Sequence, residues 1–147
     1  MPKMSPAEVE EFLTLPLVPV LSVSRRDRGP VAVPIWYGYD DGVFSFITGR
    51  DSVHGKLIQQ TGRATLTFHH EVYGARNTVE RYVHAEGPVE FTDDDITPVV
   101  RTYRRRYYTG PDAEAWINEP LTDANYRQNI AVLRPVLVTG YRWEASL

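Results

Sequence analysis

The order of apolar and polar positions divides this 147-residue chain into short strands with a few helices set between them. Residues 20–24 and 31–39 have the composition and period of half-buried strands. Asp40-Asp41-Gly42 marks a tight hairpin into a third strand, 43–48. Val43, Ser45 and Ile47 share one face of that strand, and Phe44, Phe46 and Thr48 share the other. A fourth strand, 63–69, places Ala64, Leu66 and Phe68 together, and residues 70–77 are expected to form a loop. Alternation resumes over 79–91, where Gly87-Pro88 predicts a bulge or a bend. A last strand, 129–143, is interrupted at Pro135.

Helix signals fall between these runs. Ser5-Pro6-Ala7-Glu8 is a capped start with proline at the first helical position, followed by an apolar face of Val9, Phe12 and Leu13. Asp51 or Ser52 is expected to cap a second helix that buries Val53, Leu57 and Ile58. Thr92-Asp93-Asp94-Asp95 is expected to cap a third, with Ile96, Val99, Val100, Tyr103 and Tyr107 as its stripe. Ala113, Trp116 and Ile117 mark a short fourth. Six strands with inserted helices predict a mainly β fold, a six-stranded antiparallel barrel forming one domain over residues 1–147.

Composition removes several classes of function. The chain has no cysteine, which excludes disulfides, thiolate metal sites and cysteine nucleophiles. A net charge of −3 gives no global attraction to nucleic acid, and Arg104-Arg105-Arg106 beside Tyr103, Tyr107 and Tyr108 is expected to be a solvated helix face. No run is long enough for a membrane helix and the first residues lack a signal-peptide core, so a cytoplasmic protein is expected. His54, His69, His70 and His84 show no zinc-ligand spacing, and adjacent His69 and His70 point to opposite faces of a strand.

The chemistry concentrates where the third strand meets the second helix. A helix start carries unpaired N–H groups and the positive end of the dipole, which together attract an anion. Thr48, Arg50, Ser52, His54 and Lys56 add hydroxyl and cationic donors around that point, and Gly49 breaks the strand there. Gly49 to Gly55-Lys56 resembles a P-loop, but the glycines are one residue too far apart and Leu57 stands where a hydroxyl must meet magnesium. One hairpin earlier, Val33-Pro34-Ile35-Trp36-Tyr37 holds a proline in mid-strand. That proline implies an edge, a bulge or a ligand-facing surface, and Trp36 is either a core residue or a plate for a planar ring. A molecule with a ring and a phosphate could span both places.

In order, Val31-Ala32-Val33-Pro34-Ile35-Trp36-Tyr37, Phe46-Ile47-Thr48-Gly49-Arg50-Asp51-Ser52, Gly62-Arg63-Ala64-Thr65-Leu66, Arg81-Tyr82-Val83-His84-Ala85-Glu86-Gly87-Pro88-Val89 and Arg105-Arg106-Tyr107-Tyr108-Thr109-Gly110 resemble the pyridoxamine-5'-phosphate-oxidase-like split barrels. The resemblance implies a homodimer with FMN or the 8-hydroxy-5-deazaflavin coenzyme F-420 in grooves between subunits. It also implies an oxidoreductase acting on a small conjugated substrate, or a non-catalytic protein that binds a flavin, haem or other planar ligand. Thr48, Gly49, Arg50, Ser52, His54 and Lys56 would then lie at the phosphate, and Val33, Pro34, Ile35 and Trp36 at the ring. Close relatives place an Arg-Lys pair directly after the serine, where this chain has Val53 and His54. His54 and Tyr37 are the candidate proton donors, and Trp143 is a candidate for reaching the partner's groove.

Overall fold

The computed structural model describes residues 2–122 and 128–146. The first helix, α1 (Pro6–Phe12), starts through a reciprocal cap. Ser5 Oγ accepts from the Glu8 N–H at 3.2 Å, and Glu8 Oε2 accepts from the Ser5 N–H at 2.6 Å. Its apolar face is the expected one: Val9, Phe12 and Leu13 are all buried.

Eight antiparallel strands follow: β1 (Val20–Val23), β2 (Val31–Pro34), β3 (Gly38–Asp40), β4 (Val43–Thr48), β5 (Arg63–Tyr73), β6 (Asn77–Thr92), β7 (Asn129–Leu133) and β8 (Leu137–Ser146). Their order is β2-β1-β5-β6-β7-β4-β3, with β8 also on β6. The expected six-stranded barrel is therefore corrected to eight strands in a sheet that does not close. Two of the expected strands each break in two. The run 31–39 is divided by residues 35–37, just after Pro34, and 129–143 is divided near Pro135. Proline has no N–H to give a ladder, so each division lies beside one.

The two ends of the seven-strand path, β2 and β3, are consecutive in the chain. Residues 35–37 join them, and three residues reach only roughly 10 Å. The sheet must therefore curl until these ends nearly meet, although no ladder connects them. Tyr37, the last residue of this link, is completely buried against Phe68, with ring centroids 4.8 Å apart. Around it lie Phe44, Phe46, Leu66, Val83 and Leu133, also fully buried.

β6 is the longest strand and changes partners along its length. Asn77 to Glu86 pair with β8, Thr78 to Pro88 with β5, and Val89 to Thr92 with β7. The change falls at the expected Gly87-Pro88 bend. A Cβ on Gly87 would lie 2.5 Å from the Arg134 carbonyl oxygen and 2.9 Å from Pro135 Cα, so the β7–β8 crossover needs a glycine there. The loop expected over 70–77 is shorter, because β5 continues to Tyr73 opposite Thr78. Val72 opposite Val79 and Tyr73 opposite Thr78 extend the pairing, although Glu71 stands directly across from Glu80. His69 and His70 do face opposite ways: His69 Nε2 lies 3.3 Å from Glu80 Oε1, and Arg81 Nη2 donates to His70 Nδ1.

The β3–β4 turn has positive φ at Asp41 and Gly42, as a two-residue hairpin requires. Helix α2 (Val53–Thr61) is capped by Ser52, whose Oγ accepts from the Gly55 N–H, and it buries Ile58. Val53 is not buried as expected; at the first helical position its side chain points outward and is 63% exposed. Helix α3 (Thr97–Tyr107) begins later than expected, and its N-cap position, Ile96, provides no side-chain cap. Asp95 instead closes the preceding turn, accepting from the N–H and hydroxyl of Thr97. Helix α4 (Ala113–Ile117) packs on α3.

The end of α3 ties the 13–17 segment to the core. Arg106 Nη1 donates to the carbonyls of Leu13 and Leu15 and to Tyr37 Oη, and Tyr107 Oη donates to the Leu17 carbonyl. Tyr37 Oη itself donates to the Leu13 or Leu15 carbonyl, at 2.8 and 2.9 Å. Gly87→Ala is expected to destabilise the protein by roughly 1–3 kcal/mol in denaturant unfolding, because backbone rather than a flexible side chain must move. Tyr37→Phe should cost about 1–2 kcal/mol by the same measurement, since it leaves Arg106 short of a buried acceptor.

Candidate functional site

At the β4–α2 junction the chain turns sharply enough that a Cβ on Gly55 would lie 2.0 Å from the Gly49 carbonyl oxygen. Only glycine fits, and the turn folds tightly over the helix start. Ser52 supports it twice, donating its hydroxyl to the Gly49 carbonyl at 2.7 Å and accepting from Gly55. The first N–H groups of α2, at Val53 and His54, have no intrahelical partner, which leaves an anion-attracting end.

The side chains around this end have existing commitments. Arg50 donates through Nε to Asn129 Oδ1 at 3.0 Å and through Nη2 to Asp93 Oδ1 at 2.6 Å. Its guanidinium also lies 5.0 Å from the centre of the Phe91 ring. Asp93 is 91% exposed, so this pair is a surface contact open to exchange. Thr48 is buried, and its hydroxyl meets His54 Nε2 at 2.5 Å. Burial holds the His54 pKa below its ordinary value, which keeps the ring neutral around pH 7. Lys56 is exposed one turn into α2.

The ring-facing stretch is arranged differently from the expected pairing of Val33 to Trp36 with the end of β4. Val33 and Pro34 pair with Leu21 and Val20 of β1, at the far edge of the sheet order from β4. Val33 and Ile35 lean on the core, and Pro34 is exposed. Trp36 alone comes to β4. The ladder Gly38↔Ser45 carries the chain back alongside Ile47, and Trp36 and Ile47 line one pocket. Trp36 belongs partly to each of the two expected environments. It stacks on Tyr107 with centroids 4.5 Å apart, and it remains 36% exposed on its other side. Tyr37 is no proton donor to a ligand, since it is buried with its hydroxyl committed to backbone carbonyls.

The pocket beside Trp36 measures about 300 Å³. Trp36, Tyr108 and Trp116 form aromatic walls, Ile47 and Val100 an aliphatic floor, and Arg104 a cationic side. Tyr108 touches Trp36 edge-on at 5.5 Å and Trp116 at 4.3 Å. Gln128 also lines the pocket, next to the Asn129 that holds Arg50, so pocket and junction share the end of β4 and β7. Tyr103 forms part of the wall; among the described residues its buried hydroxyl has no hydrogen-bond partner, and burial pushes its pKa well above the ordinary phenol value. Among the described residues no cluster of His, Asp or Glu could hold a metal.

Arg104, Trp116 and Asp93 are the residues that sequence reasoning passed over. The arginine run is not the solvated face expected: Arg104 is buried and Arg106 half-buried. The helical period contained that signal, because Arg104 follows Val100 by four residues and falls on the inward stripe.

The neutral His54 links stability to pH. An unfolded histidine titrates near 6.5, and the folded one lower, so between those values the unfolded chain binds more protons. Stability therefore falls as pH drops through that window and levels off below the folded pKa. Thermal melts between about pH 7.5 and 5.5 should show a smaller loss of Tm for His54→Gln than for the wild type.

Several solved structures share this architecture. A FAD-binding protein from Mesorhizobium loti superposes with a TM-score of 0.66 at 19% identity, over 99% of this chain and 98% of that one. An F420 reductase matches at 0.66 and 21% identity, over 88% of this chain and 94% of that one. The FAD binding protein from Mycobacterium smegmatis matches at 0.60 and 15% identity, over 99% and 100%. At such identities the likeness shows the fold alone. Comparison with curated protein sequences returns no match. The family model described as pyridoxamine 5'-phosphate oxidase matches residues 5–125, from α1 through both parts of the candidate site and α4. The chain belongs to the pyridoxamine 5'-phosphate oxidase family.

Proposed function

We propose that the protein is a flavin- or deazaflavin-dependent oxidoreductase acting on a small conjugated substrate, with FMN or coenzyme F-420 as cofactor. The observation that carries this reading is the adjacency of an anion-attracting helix start and an aromatic pocket at one end of β4. Structural relatives are named for FAD and F420, which supports a cofactor of this class.

The residues present fit a phosphate. The α2 start and Arg50 would hold it, with Lys56 contributing charge, and the tight Gly49–Gly55 approach would let backbone amides reach it. Of the stretch Val33 to Trp36, Trp36 is the residue that comes to β4 and would meet the ring. Thr48 and Ser52 orient the junction rather than offering free hydroxyls, because Thr48 is bonded to His54 and Ser52 caps α2. When bound, the flavin-type ring supplies the hydride or electron transfer, and the protein orients it and excludes water.

A homodimer belongs to the same proposal. Pro34, Val20, Leu137 and Trp143 share one exposed sheet face with the stacked pair Tyr82 and Tyr141. A second copy on that face would cover these aromatics and place Trp143 near its partner's cofactor groove. Sedimentation velocity tests this directly, with a dimer expected and a stable monomer at micromolar concentration overturning it.

The second reading is a binding protein without turnover. It is favoured by Val53 and His54, which give an outward apolar side chain and a neutral ring where a basic pair would add charge. Reduction of a redox dye by the loaded protein separates the readings, because a binding protein gives none.

Titration with FMN and with F-420 should give saturable quenching for one of them. Arg50→Ala should weaken it by roughly tenfold to over a hundredfold, the loss of a charge-assisted hydrogen bond. Asp93→Asn should act the other way and tighten binding several-fold, because it releases Arg50 from its carboxylate. Unchanged affinity in Arg50→Ala, with the fold intact, would remove the phosphate from this junction.

A further inference from the structure

We propose that the pocket beside Trp36 takes a planar aromatic acid of one or two rings, with its carboxylate turned toward Arg104. This names the substrate class of the oxidoreductase and rests on that reading.

Arg104 is only 8% exposed, yet no carboxylate lies within ion-pair distance of it among the described residues. Its Nη1 donates to the carbonyls of Trp116 and Glu119, and its guanidinium sits 4.8 Å from the centre of the Trp116 ring. Carbonyls and a ring face tolerate a cation, but they do not neutralise it. Among the described residues, Arg105 alone of the four arginines on α3 has an acidic partner within ion-pair distance, Glu114. Among the described residues, the pocket lining therefore carries one positive charge and no negative one.

Shape limits the rest of the ligand. Walls of Trp36, Tyr108 and Trp116 over a floor of Ile47 and Val100 favour a flat apolar body. A volume of about 300 Å³ lies at the low end of ligand pockets, which suits one or two fused rings. A neutral polar substrate would leave the Arg104 charge unanswered. A dianionic phosphate ester would need more cationic donors than the pocket walls supply, since Arg104 is the one charged residue lining it among those described.

The test uses cofactor-free protein with 2-naphthoate and its neutral counterpart 2-naphthamide, read by tryptophan quenching and calorimetry. The wild type should bind the acid at least about tenfold tighter than the amide, the difference a charge-assisted contact makes. Arg104→Gln should remove that preference, and Trp116→Leu should weaken both probes together. Because Arg104 also holds α4 through two carbonyls, Arg104→Lys provides a second variant that keeps the charge, and it should retain a preference of at least about threefold. Equal binding of acid and amide by the wild type, no binding of the acid, or a preference lost equally in Arg101→Gln would overturn the proposal. The two readings fail separately. Acid preference without binding of FMN or F-420 sinks the flavin reading and leaves the pocket, whereas cofactor binding without acid preference does the reverse.

Discussion

The structure depends on a covalent constraint: residues 35–37 must connect the two edges of a seven-strand path across a distance that three residues can cover. A flat sheet would hold those edges several strand spacings apart, each about 4.8 Å. The sheet therefore curls, and its concave side becomes the core. Tyr37 fixes the curl from within. Its ring packs on Phe68 and Phe44, and its hydroxyl is shared among Leu13, Leu15 and Arg106, so the link, α1's exit and α3's last turn are tied at one point. Burial pushes the Tyr37 pKa above its ordinary value, as suits a hydroxyl kept neutral as a structural donor.

The same constraint makes the site. Trp36 precedes Tyr37, and adjacent residues of an extended link point to opposite sides. With Tyr37 directed inward, Trp36 is directed outward onto Tyr107 and over Ile47. The pocket's aromatic wall is thus a by-product of the short link that spans the sheet's open gap. The two arginines of α3 that turn inward serve different elements: Arg106 reaches Leu13 and Leu15, and Arg104 reaches α4.

Local rules made much of this legible in sequence. The Ser5 box, the Asp41-Gly42 turn, the Ser52 cap and the Gly87 bend each follow from chemistry within a few residues, and the structure has all four. What depends on distant contacts was harder to see. A strand over 31–39 fits its own pattern, and nothing nearby says that its halves lie at opposite edges of a sheet. Val53 matched an apolar helical position but had no neighbour to cover it. The Arg50–Asp93 pair joins residues 43 apart, so neither charge announces the other. Arg104 could have been found from helical phase, had its charge not argued for solvent.

The edge strands carry one more consequence. β3 has three residues and β2 has four, with Pro34 at the latter's end. Besides the outer side of β8, which residues 2–4 partly cover, the two ends of the path present rows of unpaired backbone groups, the template on which unrelated chains add as extra strands. Here those rows are too short, and one ends in a residue with no donor, so little ladder is offered to an incoming strand. The gap between the two ends of the strand path is thus guarded by short strands on either side and by α3, which packs against β3 there.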